Sequence, residues 1–265
     1  MRQPSSVNRI WCSWLLLVAV PGWGALRADE GPQPQARPHG VRVPVPVGAV
    51  GIDDGDTLAI AWGEAEAETV RVLGIDAPET RHVEHDIPFD QPFGLEAAAF
   101  ARGVFAAAER IELVRASTLD PYGRTLGYVF VNGKNFSVLV LEARLAVETV
   151  SVFGDNGLPD PAAACLAAAS AAGPVAFESP HFYRKRMREV AQRMRADGRL
   201  PAREDLPPAS VPPKPATRQA TRSGTQVEIE GLGFVFHVRR QLGLPVVLCR
   251  YPFLPGGLGS ATSLN

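Results

Sequence analysis

VRVLGIDAPET, residues 70–80, changes character half-way along. Its first half reads as a strand, with Val70, Val72 and Leu73 apolar and Arg71 set among them. Its second half turns at Pro78 between two carboxylates, Asp76 and Glu79. An ordinary turn needs Gly, Pro and one Asp. It has no use for Glu79, and a half-buried strand has no use for Arg71. Arg71, Asp76 and Glu79 are therefore the first residues to examine for chemistry rather than architecture.

Outward from this stretch the pattern is β-rich. VRVPVPVGAV (41–50) alternates valine with other residues, and its prolines suit an edge or an extended approach. TLAIAW (57–62) and TVRVLGI (69–75) read as two further strands joined by a solvated hairpin connection. QPFGLEAAAFARGVFAAAE (91–109) switches to a helical period, with Phe93, Ala97, Phe100 and Val104 on one side. RIELVRA (110–116) and TLGYVFV (125–131) are strands again, separated by the turn DPYG (120–123). NFSVLVLEARL (135–145) is a short helix with Asn135 as its cap. A second helix, from Ser179 to Gly198, has Ser179 as cap, Pro180 in its first turn and Gly198 at its end. Its packed side is expected to be Phe182, the stem of Arg186, Val190 and Met194. Five short strands with a helix between the third and fourth predict an α+β fold, a five-stranded oligonucleotide/oligosaccharide-binding (OB) barrel with about three helices.

The totals bound the rest. A chain of 265 residues with 46% hydrophobic residues can bury one domain-sized core, and a formal net charge of -1 points to no polyanionic partner. The distribution says more. Residues 41–155 hold about 9 basic against about 18 acidic side chains, and residues 181–205 about 8 against about 4. An acidic body carries a basic helix, either a solvated face or a footprint for a phosphate backbone. Arg2 and Arg9 precede an apolar run, Ile10 to Val20, and small residues follow to Ala25 or Ala28. Residues 1–28 therefore read as an export signal, with an uncleaved membrane anchor as the alternative. This predicts a secreted or periplasmic protein. Residues 29–40 read as a flexible tether, 41–200 as the OB domain, 201–225 as a Pro-rich linker, and 226–265 as a tail with one strand-like patch, GFVFHV. Cys165 and Cys249 are too far apart in sequence to demand a disulfide.

Four pieces line up in order: DDGDT (53–57), VRVLGIDAPET (70–80), FGLEAAAF (93–100) and DPYGRTLGYV (120–129). Together they resemble the staphylococcal nuclease (thermonuclease) family over about 43–150, and the helix near 180–197 resembles that family's last helix. The resemblance implies Ca²⁺ held by Asp56, Asp76 and the carbonyl of Ala77, a hard-oxygen set that suits this ion. It implies Glu79 as general base, Arg71 and Arg124 as a phosphate clamp, and Tyr122 as a substrate contact. Pro121 stands where the family commonly has Lys or Arg. The implied activity is metal-dependent hydrolysis of DNA and RNA phosphodiesters with little sequence choice, breaking the P–O5′ bond, with single-stranded nucleic acid as the partner and no obligate protein partner. The alternative is a non-catalytic barrel that only binds nucleic acid or protein. A second metal set, His82, His85 and Asp86 in RHVEHD, competes with a solvated loop.

Overall fold

The computed structural model describes residues 32–63 and 67–206 in full, and the backbone of four later strands. The valine-rich start forms two strands, β1 (Arg42–Val45) and β2 (Val50–Ile52), because Pro46 opens a single 3₁₀ turn over Val47–Ala49 between them. β3 (Thr57–Ile60) and β4 (Glu68–Val72) follow as an antiparallel pair. After the two-residue β5 (Ile75–Asp76) comes helix α1 (Gly94–Ala106), then β6 (Ile111–Leu119) and β7 (Thr125–Val131). β8 (Lys134–Asn135) leads into α2 (Phe136–Glu142), and β9 (Val147–Glu148) pairs back onto β5. Three helices come next: α3 (Val150–Phe153), α4 (Pro159–Ala172) and α5 (Pro180–Ala196).

The sheet runs β1-β6-β7-β4-β3-β2. Its two ends, β1 and β2, are linked by the 3₁₀ turn, and this mixed sheet with its helices gives the α+β fold expected. The β4–β7 pair is parallel, with Val70 opposite Thr125. On β4 the period of two puts Val70 and Val72 inside and leaves Arg71 on the other face. Leu58, Ile60, Ile111, Leu113 and Tyr128 complete the interior. Burying each of the aliphatic side chains contributes about 1.5–3 kcal/mol.

The helices cover this core with small residues. α1 buries Ala97, Ala101, Val104 and Phe105, and the Phe105 ring meets Phe136 at 5.0 Å. Phe93, expected on that packed face, is instead the residue before the helix, at φ 71°, and its ring lies against Phe177. Asn135 caps α2 as expected, accepting from the Ser137 amide (3.0 Å). α4 presses Cys165, a free and buried thiol, over Gly74. A Cβ on Gly74 would lie 2.8 Å from the sulfur, and its φ of +83° already selects glycine.

Three expectations change. The packed face of α5 is Tyr183, Met187 and Ala191, with Val190 half-buried, while Phe182 is exposed. The partner settles this: Ile87 receives Tyr183 and Met187. The described part of the tether is strapped to β6, with Gln35 N–H donating to the Ser117 carbonyl and Leu119 N–H to that of Gln33 (both 2.8 Å). Two side chains fix the strap, Gln35 to Thr125 and Arg37 to Glu68. Finally, the linker and tail carry β10 (Thr217–Thr221), β11 (Gly224–Ile229), β12 (Phe234–Gln241) and β13 (Leu244–Arg250), an antiparallel meander. The export-signal reading of residues 1–28 lies outside the described residues.

Candidate active site

Asp54 builds the first wall. Its Oδ1 accepts from the amides of Asp56 (3.0 Å) and Thr57 (2.7 Å), a side-chain turn that delivers Asp56 to the start of β3. Asp56 Oδ2 then accepts from the Ala77 amide (2.6 Å), joining this turn to the end of β5. The approach is close enough to require Gly55: a Cβ there would stand 2.5 Å from the Ala77 methyl.

Arg71 comes over the same rim. Its guanidinium pairs with Asp56 Oδ1 through Nη1 and with Asp76 Oδ1 through Nη2 (2.7 Å). One fork therefore holds two carboxylates from different strands. Burial lowers the Arg71 pKa, and the nearby charges of Arg124 and Arg184 push the same way against the carboxylates.

Glu79 is held by its backbone. Its amide donates to Gln91 Oε1 (3.2 Å), and its carbonyl accepts from the Gln91 amide (2.8 Å). Gly94 lies against that carbonyl, where any side chain would collide. Burial raises the Glu79 pKa and the charge of Asp54 adds to it, while Arg184 opposes. A carboxyl with raised pKa, set beside two further carboxylates, is suited to exchanging a proton.

Asp56, Arg71, Asp76, Ala77 and Glu79 thus form one group. Arg124 and Tyr122 sit on the adjoining turn. Asp120 organises it, accepting from the amides of Tyr122 (2.9 Å) and Arg124 (2.8 Å) and from Arg124 Nε (2.6 Å). Tyr122 is 83% exposed, with the Arg124 guanidinium 5.6 Å from its ring centroid. The charge of Arg124 reaches Arg71, while its Nε is held by Asp120.

The model of the family described as staphylococcal nuclease homologue matches residues 69–164, the stretch that carries Arg71, Asp76, Glu79 and Arg124. Residues 69–164 are thus similar to the staphylococcal nuclease family. The SPbeta prophage-derived endonuclease YokF of Bacillus subtilis (strain 168) is 33% identical over 94 residues, 35% of this chain and 30% of the relative. Endonuclease YncB of the same organism is 32% identical over 94 residues, 35% of this chain and 43% of the relative. A thermonuclease of Staphylococcus intermedius is 37% identical over 94 residues, 35% of this chain and 53% of the relative. The chain spans about half or less of the length of these relatives.

Two residues of this candidate site escaped the sequence reading. Gln91, 2% exposed, ties Glu79 to the approach of α5 by donating to the Glu178 carbonyl (2.6 Å). Arg184 of α5 reaches both Asp76 and Glu79. In sequence it belongs with Lys185, Arg186 and Arg188 to the basic stretch of this helix. The structure divides them: Arg186 pairs with Glu178, and Lys185 and Arg188 are exposed.

The RHVEHD alternative does not assemble. Asp86 pairs with Arg195 and Arg203, and His82 faces Asp53 (3.2 Å). That contact raises the His82 pKa to about 9. Among the described residues no three His, Cys, Asp or Glu side chains are grouped to hold an ion. Asp56 and Asp76 are a pair, and a third ligand there would be a backbone oxygen.

Proposed function

We propose that this chain is a Ca²⁺-dependent endonuclease that hydrolyses phosphodiester bonds of DNA and RNA with low sequence selectivity. The observation that carries the reading is the convergence of Glu79, raised in pKa by burial, with Asp56, Asp76 and Arg71 on one rim. The relatives named endonuclease and thermonuclease support it.

The donor set fits the ion. Asp56 and Asp76 are buried carboxylates whose oxygens share one guanidinium, so they face a common small volume. With the Ala77 carbonyl they would supply hard oxygens for Ca²⁺, waters completing its 6–8 ligands. The bound ion would supply charge stabilisation at the phosphate. Glu79 takes the proton of the attacking water. The water oxygen bonds to phosphorus as the P–O5′ bond breaks, and the departing oxygen is protonated from solvent, leaving a 3′-phosphate. Arg71 and Arg124 bind the non-bridging oxygens, whose charge grows in the transition state. Tyr122, exposed beside it, contacts the substrate strand.

The test is incubation of the full chain with labelled single-stranded DNA, in Ca²⁺ and in excess chelator. Shortened products in Ca²⁺ alone are expected, and Asp56→Ala should abolish them. A parent that binds the strand and never shortens it would favour the non-catalytic module. Export belongs to the same proposal: the mature protein would begin between Ala25 and Asp29, which terminal sequencing reads directly.

A further inference from the structure

The family match ends at residue 164, inside α4, and α5 lies beyond it. α5 nevertheless sends one side chain into the candidate site. Arg184 Nη1 donates to Asp76 Oδ1 (3.0 Å) and to Glu79 Oε1 (2.5 Å), and Nη2 donates to Asp76 Oδ2 (2.9 Å). Burial disfavours its charge, but the hydrogen bonds and charges of Asp76 and Glu79 outweigh that, and its pKa is raised.

The helix behind it is fastened elsewhere. The Tyr183 hydroxyl donates to the Phe89 carbonyl (2.9 Å), Gln91 holds the Glu178 carbonyl, and Tyr183 and Met187 pack on Ile87. At the far end Arg195 and Arg203 pair with Asp86. None of these anchors uses Arg184. Its long side chain can leave the carboxylates while the helix stays in place.

We propose that Arg184 is a latch, an internal cation that competes with a divalent cation for Asp76 and with the attacking water for Glu79. The proposal rests on the reading of Asp56 and Asp76 as cation ligands. A guanidinium bonded to both oxygens of Asp76 occupies lone pairs that a divalent ion would use. Like charge also repels the ion at this range. The Glu79 oxygen that accepts from Arg184 at 2.5 Å has that position filled by a donor rather than by water. Ion binding and Arg184 release are therefore linked, and by reciprocity removing the guanidinium strengthens ion binding. Arg71 differs because it rises from the barrel's own strand and pairs with Asp56 as well.

Two measurements on the full chain test this. In calorimetric titration with Ca²⁺, R184Q should bind roughly 5–150-fold more tightly than the parent, the usual range of coupling between linked events. Circular dichroism confirms that R184Q is folded. In ¹⁵N spectra of the parent's arginine side chains, the Arg184 Nη signals should show restricted rotation that is lost at Ca²⁺ saturation. Equal or weaker binding by folded R184Q overturns the latch and leaves the cation site standing, as do Arg184 signals unmoved at saturation. If neither protein binds Ca²⁺, the latch and the calcium reading fall together. Should R184Q not fold, the spectra of the parent decide alone.

Discussion

The two ends of β4 carry the same chemistry with opposite outcomes. At one end Glu68 is buried and saturated. Arg115 grips it with two hydrogen bonds (2.7 and 2.8 Å), and Thr125 (2.6 Å), Trp62 (2.8 Å) and Arg37 (2.7 Å) also donate to it. Burial works against its charge, but the bonds from Arg115, Thr125 and Trp62 prevail and hold its pKa down to about 2. At the other end, around Arg71, carboxylates outnumber the cations that reach them. There burial dominates, and the pKa of Glu79 rises. Both clusters pair arginine with carboxylate. Saturation makes the first a fastener, and its lack makes the second responsive.

The sharpest way to break this contrast is to remove the carboxylate at each end. Glu79→Gln keeps size and hydrogen bonding but cannot accept a proton. Its cleavage rate on single-stranded DNA with Ca²⁺ should fall by about 10²–10⁴, with an unfolding midpoint close to the parent's. A parental rate would remove Glu79 from the chemistry. Glu68→Ala should do the reverse. It leaves Arg115 buried without its partner, a change costing about 3–5 kcal/mol, read by urea unfolding. Cleavage per folded molecule should hold.

Acid separates the ends further. The folded pKa of Glu68 lies below its ordinary 4.5. The stability it confers is therefore present above about 4.5 and lost as pH falls toward about 2. Unfolding curves between pH 5 and 2 should show a decline that Glu68→Gln largely lacks. The smallest effect belongs to His82 and Asp53, on the loop beside the site. The hydrogen bond that His82 donates to Asp53 leads in raising the His82 pKa, so its contribution is full below pH 6.5 and lost as pH rises through about 9. Asp53→Asn should erase that alkaline loss, worth under about 1 kcal/mol for so accessible a pair. Melting temperatures at pH 6 and 10 would report it.

Much of this was readable beforehand because it is local. Alternation marks β4 and β7, Asn135 announces its cap, and the run from Arg71 to Glu79 places an arginine and two acids within one strand and turn. Arg184 was not readable because 108 positions separate it from Asp76. A basic helix face gives no sign of which of its arginines will turn inward. The α5 face was misjudged by one position because Phe182 and Tyr183 are adjacent aromatics and either fits a helical period. Ile87 and the Phe89 carbonyl, distant in sequence, select Tyr183. The strap over β6 was hidden for the same reason: its prolines and glycines resemble a tether until Glu68 and Thr125 are there to receive Arg37 and Gln35.

The thiol beneath α4 gives the molecule a stopwatch. Cys165 is fully enclosed over the Gly74 turn, and burial pushes its pKa up to about 11. Alkylating reagents attack the thiolate, so Cys165 stays silent until the helix lifts and water reaches the sulfur. The pace at which iodoacetamide marks Cys165 then clocks the breathing of the helix that roofs the chain between Arg71 and Asp76.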